Sequence, residues 1–368
     1  MKIRPIGKTI LSIFFSVILI WSMIGTVDAS TLFQDTLPPT NNSQIEVVNP
    51  YYTIEYITTA DGSQIAKVNI HGNIGLSPDF QAKQEALMTT SVEAERILPD
   101  FPSYDWVFGC SSVAAAMIAA YYDQGSYPNI YTGPTNGGVM PLTDDVWPEW
   151  TDSHHHLYPN IPLVASHMDV DGRTIKGSID DYWLFLDSSD PDPYITGGWQ
   201  QHEWGTAIGD YMKTSQSAYW NWDGSTYFHF WLDRSDKLTC AQMKSNGDSF
   251  NDGTYGIKLF YEARGYQVTE CYNQVTDNQV AGGFSLDDFK SEIDSGYPVL
   301  LHVQGHSLVG YGYDGSTIYI RDTWDSDPSH IYTMQWGGDY IGLELVFVSI
   351  VHLAGSNLPY KNYIPLIE

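Results

Sequence analysis

Asp105-Trp-Val-Phe-Gly-Cys110-Ser-Ser-Val-Ala-Ala-Ala-Met-Ile-Ala-Ala-Tyr-Tyr122 decides the fold, because a lone cysteine opens the most helix-prone run of the chain. Gly109 permits a sharp entry, and Ala114, Ala115, Ala116, Ala119 and Ala120 carry high helix propensity. Cys110 is therefore expected at a helix N-terminus, where unpaired backbone amides favour a thiolate, the nucleophilic form of the side chain. The alanine face would let the helix pack closely on a sheet. A buried thiol that merely packs is the commoner fate of a free cysteine, so a partner group has to be found elsewhere.

The C-terminal third supplies one. Thr254–Arg264 reads as a helix stopped by Gly265, and Tyr266–Cys271 as a strand. Ser285 and Asp288 stand in capping-box spacing at the head of a helix that Gly296 ends. Pro298–Val303 is nearly all apolar, as a buried strand should be. His306–Tyr313 and Ile318–Arg321 flank an Asp314-Gly315 turn, and Leu343–Leu353 is a last apolar strand. Two antiparallel strands joined by that turn bring His306 close to Asp322. Asp322 is then expected to accept a hydrogen bond from one ring nitrogen of His306 while the other nitrogen faces the Cys110 thiol. A strand histidine alone is usually structural; roles and geometry, not one residue, identify a triad.

In this order, Gly109-Cys110-Ser-Ser before an Ala/Met helix, Gly296-Tyr-Pro-Val-Leu-Leu, Gly305-His306-Ser-Leu-Val-Gly-Tyr-Gly-Tyr and Asp322-Thr-Trp resemble the papain-like cysteine peptidases. The likeness is to the branch related to the double-glycine leader peptidases of bacterial peptide exporters, and it covers roughly residues 100–353. It implies an α+β fold in which the cysteine helix packs on an antiparallel sheet carrying His306 and Asp322. It also implies hydrolysis through an acyl-enzyme, with Cys110, His306 and Asp322 as catalytic residues. The family usually carries a glutamine shortly before the cysteine to bind the oxyanion, and here no Gln or Asn lies between Ser91 and Gly109. Asp105 stands nearest that place. As a carboxylate it would repel the developing charge; held protonated, it could donate.

The N-terminus reads as a cleavable export signal: Lys2, Arg4 and Lys8 precede the apolar run Ile10–Ile24, followed by Val27-Asp28-Ala29. The run is shorter than the roughly 20 residues a membrane span needs, so cleavage after Ala29 and a secreted product are expected, with no membrane span in the mature chain. Residues 31–48, rich in Thr, Asn, Pro and Ser, read as a flexible leader. Tyr51–Thr59 and Gln64–Ile70 read as a hairpin, and Pro78–Met88 as a helix. The domain plan is thus 1–29 signal, 30–98 either a pro-segment or an integral side sheet, 99–353 the catalytic domain, and 354–368 a tail.

The formal net charge is −27, and loss of the signal makes it more negative, which argues against nucleic-acid or anionic-membrane partners. A peptide or protein substrate and a monomer are expected. Of three cysteines, Cys240 and Cys271 are expected to form a disulfide, leaving Cys110 free. No cofactor is expected; Asp187–Asp192 and Asp169–Gly172 could hold calcium, but neither completes a ligand set. His154-His-His156 and His202-Glu203 lack zinc-site spacing. Residues 124–254, dense in aromatics, glycine and proline, read as loops around the short helices Thr174–Leu186 and Trp204–Met212. Two rivals share the same residues: an amidase or acyltransferase using the same triad on a non-peptide amide, and a secreted binding protein of weak activity whose aromatics between 147 and 231 contact ligand.

Overall fold

The computed structural model describes residues 44–59, 61–72, 78–91, 94–125, 127–151, 157–166, 171–172 and 206–355. The signal, most of the leader, Thr174–Leu186, His154–His156, His202-Glu203, Asp169, Asp187–Asp192 and the end of the tail lie outside them.

The chain is α+β, with antiparallel sheets and six α-helices among the described residues. In chain order the strands used below are β1 (Gln44–Asn49), β2 (Tyr52–Thr58), β3 (Gln64–Ile70), β4 (Arg96–Ile97), β5 (Glu149–Thr151), β6 (Leu157–Pro159), β7 (Thr226–Trp231), β8 (Leu238–Thr239) and β9 (Val268–Val275). They continue with β10 (Val299–Val303), β11 (His306–Asp314), β12 (Thr317–Arg321), β13 (Tyr332–Gln335), β14 (Asp339–Tyr340) and β15 (Leu343–Leu353). The large sheet runs β13-β12-β11-β10-β15-β9-β8, with β4 added to β11 and β14 to β15. All its pairs are antiparallel.

The helices are α1 (Pro78–Leu87), α2 (Cys110–Asp123), α3 (Ile208–Met212), α4 (Cys240–Asn246), α5 (Gly253–Ala263) and α6 (Leu286–Asp294). The cysteine helix α2 is buried almost all round, as a helix apolar on every face must be. Its small residues lie against β11 and β10. Along β11 the side chains alternate: the Ser307 hydroxyl meets Ser111 of α2, whereas a Cβ on Gly310 would meet the Phe289 ring of α6 at 2.5 Å. The central strands are thus covered on both faces, and β10 and most of β11 are buried throughout. Ser285 caps α6 through the box read from its sequence.

The N-terminal segment is more structured than its composition suggested. Residues 44–48, assigned to the flexible leader, form β1 together with Asn49 and pair with β2. The expected β2–β3 hairpin forms, and β3 pairs with β7 to complete a four-stranded sheet. β4 joins β11 of the main sheet, and Thr89 bridges Ile331.

The aromatic middle is also corrected. It contains β7, whose six residues Thr-Tyr-Phe-His-Phe-Trp are all buried. With both faces covered, such a strand shows no polar alternation to read. Trp147, Tyr227, Phe228, Phe230 and Trp231 are core residues, whereas Trp222 is exposed. The expected Trp204–Met212 helix is confined, among described residues, to α3.

Candidate active site

Cys110 is the first residue of α2 and fully buried. The turn before it is strained: Phe108 has φ 59° and Gly109 φ 134°, the first costly for a bulky residue. A Cβ at Gly109 would stand 2.3 Å from the Gly224 carbonyl oxygen, so only glycine lets these backbones meet. The turn is tied down by the Ser215 hydroxyl donating to the Phe108 carbonyl (3.1 Å) and by Ser112 donating to that of Gly109 (2.9 Å). The sulfur accepts the backbone N–H of Ser307 at 3.4 Å. Burial pushes the thiol up to about 11, against the opposing donors of Ser307 and Ser111. The expected thiolate is therefore not the resting form: desolvation outweighs the helix N-terminus.

His306 opens β11 immediately after a tight turn at Gln304-Gly305, where Gly305 has φ 101° and a Cβ would meet that of Tyr51 at 2.4 Å. Nε2 lies 2.7 Å from the backbone carbonyl of Asp322. A carbonyl only accepts, so Nε2 carries the proton and Nδ1 keeps its lone pair. That Nδ1 is buried with no hydrogen-bond partner among the described residues. The Thr323 hydroxyl sits 3.3 Å from Nε2, and the ring stacks on Trp324 with centroids 3.8 Å apart. Burial lowers the imidazole pKa to about 3.

Asp322 meets His306, but not as the sequence suggested. The contact uses its main-chain oxygen, while the carboxylate turns away to accept Gln84 Nε2 (2.7 Å) and the Tyr340 hydroxyl (2.5 Å) on Oδ2 and the Trp324 amide (3.1 Å) on Oδ1. Three donors around one carboxylate fix the segment rigidly, and the following Thr323 is held at φ 66°, unusual for a β-branched residue. Burial raises the Asp322 pKa although all three donors lower it.

Asp105 is partly exposed, and its pKa is raised to about 7, first by desolvation and then by Asp144, Asp322 and Asp325, against the Trp106 amide that donates to it. Its own N–H donates to Asp144 (2.6 Å). It stands within an acidic cluster. Cys240 and Cys271 are bonded, with Cα atoms 5.4 Å apart, and Cys110 is free. Asp171, the described part of one calcium candidate, accepts from Thr135. Among the described residues no cluster of His, Cys, Asp or Glu could hold a metal, and no helix is long and apolar enough to cross a membrane.

Four contributors escaped the sequence reading. Gln84 and Tyr340 come from elements whose sequence gives no hint of a distant carboxylate. Ser307 and His302 did leave a signal: a histidine inside the apolar run Pro298–Val303 needs buried partners.

Among the described residues no hydrogen bond joins the Cys110 sulfur to His306, and the comparison with known proteins falls on the part of the chain that carries His306 and Asp322. Residues 214–340 match the Peptidase_C39 like family. The likeness to papain-like, C39-related cysteine peptidases thus holds over the segment bearing His306, Asp322, Trp324 and Tyr340. The C39-like segment starts after Cys110, whose place rests on the fold. No curated protein and no solved structure matches the chain.

Proposed function

We propose that this chain is a secreted papain-like cysteine peptidase in which Cys110 is the nucleophile, His306 the general base and then acid, and Asp322 the residue that orients the imidazole. One observation carries the reading: the imidazole nitrogen left with a lone pair, Nδ1 of His306, belongs to the residue next to Ser307, whose amide touches the sulfur of Cys110. Nδ1 would take the thiol proton as sulfur attacks the peptide carbonyl, and return it to the leaving amine. Water, deprotonated by the same nitrogen, would release the acyl group. The Asp322 carbonyl holds the productive tautomer, and Trp324 backs the ring. The Cys110 backbone amide is the nearest oxyanion donor in this scheme, with protonated Asp105 as a second.

Thiol and imidazole are both fully buried and, with pKa values of about 11 and about 3, both neutral at rest. Activity therefore requires substrate entry to displace what covers them. The same burial favours one alternative, a weakly active binding protein of this fold. Turnover of a panel of unstructured peptides decides between them: wild type should cleave, and Cys110→Ala and His306→Ala should not. Binding without cleavage by wild type would support the alternative. Mass spectrometry of protein from culture medium tests secretion, expected to begin at Ser30.

A further inference from the structure

Behind Cys110 runs a second, wholly buried polar chain. Ser111 Oγ lies 2.7 Å from Ser307 Oγ, and Ser307 Oγ lies 2.9 Å from Nδ1 of His302. Nε2 of His302 lies 2.9 Å from Ser349 Oγ, which is 2.7 Å from Asn273 Oδ1. Thr254 Oγ1 joins both Asn273 Oδ1 (2.6 Å) and Ser349 Oγ (2.8 Å). Asn273 Nδ2 donates to the His229 carbonyl (2.8 Å) and to the Asp252 carboxylate (3.2 Å). Every member is buried, and both nitrogens of His302 are used. Its ring is sandwiched between Phe347, centroids 4.1 Å away, and Phe228, 4.3 Å away.

The proton count allows two orientations. Asn273 spends both amide hydrogens, so its Oδ1 only accepts. In one orientation Ser349 donates to Asn273, His302 donates from Nε2, and Ser307 donates to Nδ1, leaving Ser111 to donate to Ser307. In the other, Thr254 satisfies Asn273 alone and Ser349 donates to Nε2. His302 then donates from Nδ1 to Ser307, Ser307 donates to Ser111, and the Ser111 hydroxyl is free to point at the adjacent sulfur. No donor is lost in either.

We propose that His302 is a positioning residue for Cys110: by exchanging tautomers inside this chain it turns the Ser307 hydroxyl onto Ser111 and so frees the Ser111 hydroxyl for the sulfur as negative charge develops there. The inference rests on the nucleophile assigned to Cys110 above. Both hydroxyls already oppose the upward push of burial on that thiol, and aligned hydrogen bonds polarise one another in a dry interior. His302 stays neutral throughout, since burial and then His306 hold its pKa far below the ordinary value. The charged or titratable groups nearest the chain are Cys110, His306, His229 and Asp252, the last two already engaged with each other.

The test uses the full mature chain, in which Cys110 is the single free thiol, and measures its alkylation by iodoacetamide against pH. His302→Phe suits the aromatic sandwich but carries no proton, whereas His302→Asn keeps a donor toward Ser307. His302→Phe should slow alkylation near neutral pH roughly tenfold and move the profile about one unit upward, the fold-change expected from one lost charge-assisted contact. Asn should restore most of it, and Ser307→Ala, which breaks the next link, should repeat the loss if Phe fails to fold. Wild-type profiles in both His302→Phe and Ser307→Ala would overturn the relay alone. A wild-type thiol inert at every pH would overturn both the relay and the nucleophile.

Discussion

Two histidines of one hairpin, His302 on β10 and His306 on β11, share the same burial yet live in opposite conditions. His302 has a hydroxyl on each nitrogen and an aromatic ring on two sides. His306 has one nitrogen on a carbonyl and the other bare. A buried polar atom left unpaired costs about 1–3 kcal/mol, so the fold has reason to keep such an atom only where chemistry uses it. Under the proposed mechanism the contrast would separate the side of Cys110 that supports from the side that reacts.

Alanine at the two positions sharpens that separation. His306→Ala should lower peptide turnover on the order of 10³-fold or more, with a melting temperature close to wild type, since a general base contributes about 10²–10⁴. His302→Ala should instead cost about 3–5 kcal/mol of stability, as for a truncated core aromatic, with its catalytic defect secondary. Denaturant unfolding and turnover on both variants check this, and a stability loss confined to His306→Ala would break the comparison.

A smaller effect belongs to the Asp322 cage. Gln84→Ala leaves a buried carboxyl short of a donor, costing about 1–3 kcal/mol, and loosens the carbonyl that fixes the His306 tautomer. Turnover should fall about tenfold with KM little changed. A neutral result would mean that the carboxylate plays no part in holding the loop. Because Gln84 lies on α1 and β3 pairs with β7, the same measurement bears on whether the segment up to residue 98 belongs to the working protein. Limited proteolysis that removed it without loss of turnover would show that it does not.

The smallest effect is at Asp105. Its raised pKa means that the folded state binds this proton more tightly than the unfolded state. The associated stability is complete below the ordinary carboxyl pKa and is lost as pH rises through about 7. Each unit of separation is worth about 1.4 kcal/mol. Asp105→Asn should therefore gain in melting temperature relative to wild type as pH goes from 5 to 8. Parallel melting curves across that range would place Asp105 outside the acidic cluster's influence.

What could be read from sequence follows the same physics. The cysteine helix, the capped helix at Ser285 and the strands from Val299 to Leu353 declared themselves because each combines local propensity with an unambiguous boundary at Gly109, Gly296, Gly315 or Leu353. β7 stayed hidden since aromatics buried on both faces lack a period. β1 stayed hidden because its exposed Gln-Ile-Glu-Val-Val-Asn edge looks like linker until β2 pairs with it. Cys110, His306 and Asp322 were visible as residue types in order. That Asp322 would offer its carbonyl while Gln84 and Tyr340 take its carboxylate was not, because those contacts span 238 and 18 residues and depend on packing alone. The burial of the thiol was hidden for a related reason: a helix N-terminus is legible in sequence, whereas the depth at which it is buried is not.

The central claim is that Cys110 and His306 act together on a peptide carbonyl. Incubation of the mature protein with a peptidyl chloromethyl ketone, followed by intact-mass and peptide-mapping spectrometry, addresses it most directly. One adduct on Cys110 is expected in wild type, with formation slowed at least a hundredfold in His306→Ala. Equal labelling of the two proteins, or no adduct on Cys110 in wild type, would contradict the account.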